Sequence, residues 1–186
     1  MILVIDLCWK EDSLSRPEFV DPIVNIVKSS GEEFRIVHHL SGDLKIHEEC
    51  KGIILCGTAL KDNGFRENKR LFEIIKNTEL PVLGICAGMQ AVALAYGAKL
   101  AESYETGMEE IKIIKGDDVL REQRTIQAYE LHGMRMVPGE NFEILAESGK
   151  GTEAVRHIDV PVWGVLFHPE VRNEWIVSNF VSYCRR

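Results

Sequence analysis

The sequence predicts an α/β fold: a mostly parallel central sheet flanked by helices, with a small antiparallel portion. Two observations carry this. Through residue 97, short apolar runs alternate with segments whose apolar residues recur at helical spacing, the pattern of strand–crossover–strand units. Beyond residue 98 the texture changes to short strands joined by turns. A third observation locates the chemistry. Residues 81–90 read as a buried strand, a sharp turn and a helix start, with Cys86 at the turn and a glycine two residues to each side.

Taken in order, residues 2–6 are an apolar run ending in an acid, as in a buried first strand. Residues 7–17 are polar and irregular, a surface loop at the carboxyl end of that strand. Pro17-Glu18 opens a helix, where proline is tolerated in the first turn. Phe19, Ile23, Ile26 and Val27 continue it at helical spacing, and Gly31 stops it. Residues 34–39 and 52–57 predict the second and third strands, the latter ending in a glycine turn. Residues 66–77 form an amphipathic helix through Leu71, Phe72, Ile74 and Ile75. Residues 82–85 are the strand that delivers Cys86. Residues 87–96, rich in alanine, predict a helix that can lie close on the sheet, closed by Gly97. Short strands are expected at 98–102, 109–114, 125–130, 142–147, 152–157 and 162–167; the alternation in 109–114 assigns it to the antiparallel portion. Residues 173–183, with Trp175, Ile176, Asn179, Phe180 and Tyr183, close the chain as a packed helix. No linker, repeat or low-complexity segment interrupts residues 1–186, so one domain is expected.

Composition narrows the function classes. The 186 residues carry a net charge of -7 and no Lys/Arg run, which argues against a nucleic-acid face. No apolar stretch approaches the roughly 18–20 residues of a membrane span, and the first residues lack the basic flank and cleavage site of a signal peptide. The five cysteines are scattered without zinc-like spacing, so no metal or other cofactor is expected. Free thiols suit a reducing, cytoplasmic setting.

Gly84-Ile85-Cys86-Ala87-Gly88 is the thiol form of the nucleophile elbow. A tight strand-to-helix turn strains the backbone at the nucleophile, and its close neighbours must be small. The helix N-terminus beneath the side chain favours thiolate over thiol. Residues 162–170 supply the complement: a strand running into His168-Pro169-Glu170. The residue before proline avoids the helical region. In an extended segment residues two apart share a side, so His168 and Glu170 are expected to project together. A carboxylate orients the imidazole and stabilises its protonated form, the base-and-orienter arrangement of a nucleophilic triad.

These segments resemble the class I, triad-type glutamine amidotransferase domain. The matches are residues 81–90, residues 164–170 and, where that family has its oxyanion strand, residues 52–57. The resemblance spans nearly the whole chain and implies a flavodoxin-like three-layer fold. It further implies release of ammonia from the glutamine side chain. Cys86 would form a glutamyl thioester, His168 would carry the proton and Glu170 would hold His168. The backbone N–H groups of Gly57 and Ala87 would bind the oxyanion, at about 3–4 kcal/mol per donor in related chemistry. Gln90, one helical turn after Cys86, is a candidate for binding the substrate's polar end.

Residues 130–148 resemble the corresponding segment of GMP synthase amidotransferase subunits, where a Ser-His-Gly-Asp run occurs; His132 and Gly133 match, while Leu131 and Met134 replace Ser and Asp. That resemblance implies a separate synthetase as partner. Thr58 stands where the family usually has a second glycine, so the pocket is expected to differ around Thr58 and Leu131. Three alternatives remain open from sequence: the amidotransferase component of anthranilate or aminodeoxychorismate synthesis, a stand-alone γ-glutamyl hydrolase or peptidase, and a non-catalytic module with a residual elbow.

Overall fold

A computed structural model describes all residues from Met1 to Arg186. Nine strands form one sheet in the order β2-β1-β3-β4-β9-β8-β7-β5-β6. Its first half comprises β1 (Ile2–Asp6), β2 (Phe34–His38), β3 (Gly52–Leu55), β4 (Val82–Ile85) and β9 (Val162–Val165), all parallel. β1, β3, β4 and β9 are buried at every residue, because both faces are covered. Ile2, Val4, Ile54, Leu83 and Ile85 face one layer, which contains α2 (Asp21–Ser29) and α5 (Trp175–Tyr183). The alternate residues Leu3, Ile5, Ile53, Leu55 and Val82 face the other, which contains α3 (Lys69–Asn77) and α4 (Ala87–Ala95). The strand period of two thus builds two separate cores and three layers. No helix is long and apolar enough to cross a membrane, and all five cysteines are free.

Three boundaries differ from those expected. The helix opened at Pro17 is two short helices, α1 (Arg16–Phe19) and α2. Pro22 lacks an N–H and its ring would clash with a preceding carbonyl, so one helix cannot run through it. The helix expected from residue 66 begins at Lys69. A 3-10 turn (Gly64–Glu67) precedes it, and the Asn68 side chain caps α3 by accepting from the Leu71 N–H at 3.0 Å. The largest difference lies in the antiparallel half. The strands expected at 98–102 and 109–114 are one strand, β5 (Lys99–Ile113), paired with β6 (Arg124–Val137), which runs well past residue 130. A register shift between Glu102 and Glu105 and a positive φ of 114° at Gly107 carry β5 through its polar middle. The apolar alternation fails there because Glu105, Glu130, His132 and Arg135 occupy the buried side. β7 (Phe142–Ser148) and β8 (Gly151–His157) join this half to β9.

Candidate active site

β3, β4 and β9 are neighbours, so the loops at their carboxyl ends converge. Gly57 follows β3, Cys86 follows β4 and His168 follows β9.

At Cys86 the backbone is held at φ 49°, ψ -102°, a strained conformation for a residue with a Cβ. The two flanking glycines show why the turn closes. A Cβ on Gly84 would lie 2.5 Å from the Gly88 carbonyl, and one on Gly88 would lie 2.2 Å from the Leu55 carbonyl oxygen. Helix α4 therefore starts against both its own strand and β3, at a distance only glycine permits. Cys86 is its N-cap, and Sγ donates to the Leu131 carbonyl at 3.5 Å.

His168 and Glu170 meet as expected, with Nδ1 to Oε1 at 2.7 Å, but by a different path. β9 ends at Val165, not 167, and residues 168–172 form a turn in which the Val171 N–H donates to the His168 carbonyl at 3.2 Å. The fixed φ of Pro169 suits the second position of such a turn. The turn, not an extended segment, folds the carboxylate back onto the ring. The His168 N–H donates to the Tyr129 carbonyl at 2.9 Å, and the Phe19 and Tyr129 rings flank the imidazole. Both side chains are buried, and Nε2 has no hydrogen-bond partner. Burial disfavours the imidazolium, yet the facing Cys86 sulfur and the Glu170 carboxylate outweigh it and hold His168 well above the ordinary imidazole value.

Gly57 lies against this ring: a Cβ there would meet His168 Cε1 at 2.8 Å. Its N–H makes no hydrogen bond. The Ala87 N–H is the first of α4, where no intrahelical acceptor exists. Gln90 faces the same pocket, with its amide already engaged. Arg66 Nη2 donates to Oε1 at 3.0 Å, and Nε2 donates to the Met134 carbonyl at 3.2 Å. Thr58 and Leu131 line that pocket with Cys86. Only about 20 Å³ is open to the centre of a water molecule, room for about one water. Thr58 Oγ1 donates to Asp62 at 2.7 Å. The pocket's two charged side chains, Asp62 and Arg66, were not singled out by sequence reasoning. Asp62 lies in the irregular stretch after β3 and Arg66 in the 3-10 turn that follows, and no motif marks either as part of a site.

A second buried polar cluster lies across β5, β6 and β8. Arg135 bonds Glu105 at 2.5 Å and Glu153 at 2.8 Å. Burial raises Glu130 and Glu153 to about 7 each, while Arg135 and Lys150 hold Glu105 below the usual carboxylate range despite its burial. His132 Nε2 lies 3.2 Å from Glu130, which by distance alone is an ion pair. However, burial lowers His132 while it raises Glu130, so both favour their neutral forms.

A family model, glutamine amidotransferase class-I, matches residues 17–177. The chain belongs to this family. It is therefore an enzyme of the glutamine amidotransferase class, and its relatives agree with the match. The chain is 35% identical over 180 residues to a Methanocaldococcus jannaschii protein named as a subunit of glutamine-hydrolyzing GMP synthase, covering 90% of this chain and 93% of the relative. A Pyrococcus abyssi protein of the same name is 30% identical over 179 residues, covering 90% and 94%. In fold, this amidotransferase superposes on a glutamine amidotransferase of Thermotoga maritima with a TM-score of 0.71 at 20% identity, over 94% of this chain and 80% of that one. A Thermoplasma acidophilum structure described as a GMP synthase subunit gives 0.83 at 22% identity, over 99% and 93%.

Proposed function

We propose that this amidotransferase hydrolyses the side-chain amide of glutamine and passes the ammonia to a separate synthetase subunit in GMP synthesis. Cys86 Sγ attacks the amide carbon as the thiolate, its proton already held on His168 Nε2, the form of the ring that the site favours. The developing oxyanion is met by the N–H groups of Gly57 and Ala87. The tetrahedral adduct collapses as His168 gives the proton to the departing nitrogen, leaving ammonia and a glutamyl thioester on Cys86. His168 then takes a proton from water, which attacks the thioester and releases glutamate and the thiolate, restoring the thiolate–imidazolium pair. Glutamine and water become glutamate and ammonia. Glu170 fixes the ring tautomer and stabilises the imidazolium formed in each half-reaction.

The observation that carries this reading is the strained, glycine-flanked Cys86 beside an imidazole whose other nitrogen is bound to a buried carboxylate at 2.7 Å. The GMP branch is supported by the names of the relatives that cover most of the chain. Glutamate release from glutamine would be measured for the chain alone and with the ATP-dependent subunit of a GMP synthase. Stimulation by that subunit, lost in Cys86→Ala, is expected. Hydrolysis of γ-glutamyl peptides with none of glutamine under either condition would overturn the assignment in favour of a stand-alone hydrolase.

A further inference from the structure

Asp62 and Arg66 share the Cys86 pocket, and neither has an ionic partner there. No carboxylate lies within 4.0 Å of the Arg66 guanidinium, and no cationic side chain lies within that distance of Asp62. Both are only half-buried in their own right, but Arg66 Nε is shielded from water and has no acceptor. The Arg66 Nη2 bond goes to a neutral oxygen, that of Gln90. Asp62 is fixed from behind: Oδ2 accepts from the Thr58 hydroxyl at 2.7 Å and from the Trp9 N–H at 3.2 Å. One pocket therefore offers a nucleophilic thiol, a cation lacking a counter-ion and an oriented anion lacking a counter-ion. Each group is half shielded from water and lacks an opposite charge, so a ligand bearing the opposite pair would complete both.

We infer that Arg66 and Asp62 clamp the zwitterionic head of an α-amino acid, Arg66 binding the α-carboxylate and Asp62 the α-ammonium, while the side-chain amide reaches Cys86. This rests on the glutamine-hydrolase reading and adds the residues that select a free amino acid over a peptide-linked one. On binding, the Arg66 guanidinium exchanges the Gln90 carbonyl for the carboxylate, a charge-assisted and bidentate-capable partner. The same exchange frees the Gln90 amide and opens a pocket that otherwise holds about one water. A cation in the Cys86 pocket has a second use, as a partner for the sulfur itself. That is the competing role, and the test must separate the two.

The test is protection of Cys86 from alkylation by iodoacetamide, a neutral probe that needs no turnover, read by mass spectrometry on the Cys86 peptide. Three ligands are compared: L-glutamine, its α-amide (no carboxylate) and glutaramate (no ammonium). In the unmodified chain L-glutamine protects best. Arg66→Gln weakens protection by glutamine about 10- to 100-fold, the range of charge-assisted hydrogen bonds, and leaves protection by the α-amide unchanged. Asp62→Asn does the same for glutamine against glutaramate. Arg66→Lys, which keeps the charge but loses the fork, restores part of the glutamine protection. Protection by glutamine without any turnover would sink the hydrolase reading and leave the clamp standing. The clamp is overturned if glutamine does not protect the unmodified chain, if the α-amide weakens in parallel with glutamine in Arg66→Gln, or if that variant slows alkylation of the free thiol as much as it weakens protection, which would make Arg66 a thiolate partner.

Discussion

Two buried histidines, each beside a buried glutamate, differ in what they face. His168 has a carboxylate on Nδ1 and a thiol ahead of Nε2, and its charged form is favoured. His132 has the Ser103 carbonyl on Nδ1 at 2.9 Å and Arg135 nearby, and its neutral form is favoured. Glu170 is bound to an imidazolium, whereas Glu130 is raised to about 7, chiefly by burial and further by the nearby Glu105. The ingredients are the same. What sets the proposed catalytic pair apart from the second cluster is the strained thiol, the pairing of carboxylate to Nδ1, and the convergence of three loops at the carboxyl ends of neighbouring strands. In the second cluster the charge is spent on Arg135, which ties β5, β6 and β8 together from inside.

The contrast can be broken by mutation, most severely at the proposed nucleophile. Cys86→Ala is expected to remove glutamine hydrolysis by about 10⁴-fold or more, with the thermal unfolding midpoint little changed. Matching substitutions at the two carboxylates come next. Glu170→Gln should lower kcat by about 10²–10⁴-fold, because the imidazolium loses its counter-charge and the ring its tautomer. Glu130→Gln, the same chemical change in the other cluster, should leave kcat within a few-fold. A large kcat loss in Glu130→Gln would mean that the two clusters act as one. Gly57→Ala should cost about 10–10²-fold in kcat. Its methyl group would meet the His168 ring at 2.8 Å and force the imidazole away from Cys86, while the sheet around it stays intact.

The smallest effect is on stability, and its sign is specific. Glu130 and Glu153 bind their protons more tightly folded than unfolded, from the ordinary 4.5 up to about 7. Between those values the native state holds more protons than the unfolded chain. Stability therefore falls as pH rises from about 4.5 through 7, and the penalty is fully present above. Glu130→Gln removes one of the ionisations and should stabilise the protein by about 1–3 kcal/mol at pH 8 but not at pH 5, read as denaturation midpoints at the two pH values. Equal effects at both pH values would place the Glu130 charge outside the unfolding equilibrium.

The parallel half of the sheet was legible in sequence because burial on both faces leaves uninterrupted apolar runs. The elbow was legible because strain at Cys86 demands glycine at fixed offsets, and no other residue type fits at Gly84 and Gly88. The long β5–β6 hairpin was not legible: its inward side carries Glu105, Glu130, His132 and Arg135, which interrupt the pattern that marks a buried strand. The meeting of His168 with Glu170 was expected from spacing alone, but the turn that makes it depends on where β9 ends, which no residue in the segment announces. Asp62 sits in irregular backbone and Arg66 in a short 3-10 turn, and their shared pocket is a fact of tertiary structure only.

The most direct test of the central claim is chemical capture of the intermediate. The protein is mixed with glutamine, quenched in acid and digested, with a parallel reaction run in hydroxylamine. A glutamyl residue on the Cys86 peptide, together with γ-glutamyl hydroxamate in the parallel reaction, is the predicted result. Glutamine hydrolysis with neither product, or with the adduct on Cys8, Cys50, Cys56 or Cys184, would contradict a Cys86 nucleophile.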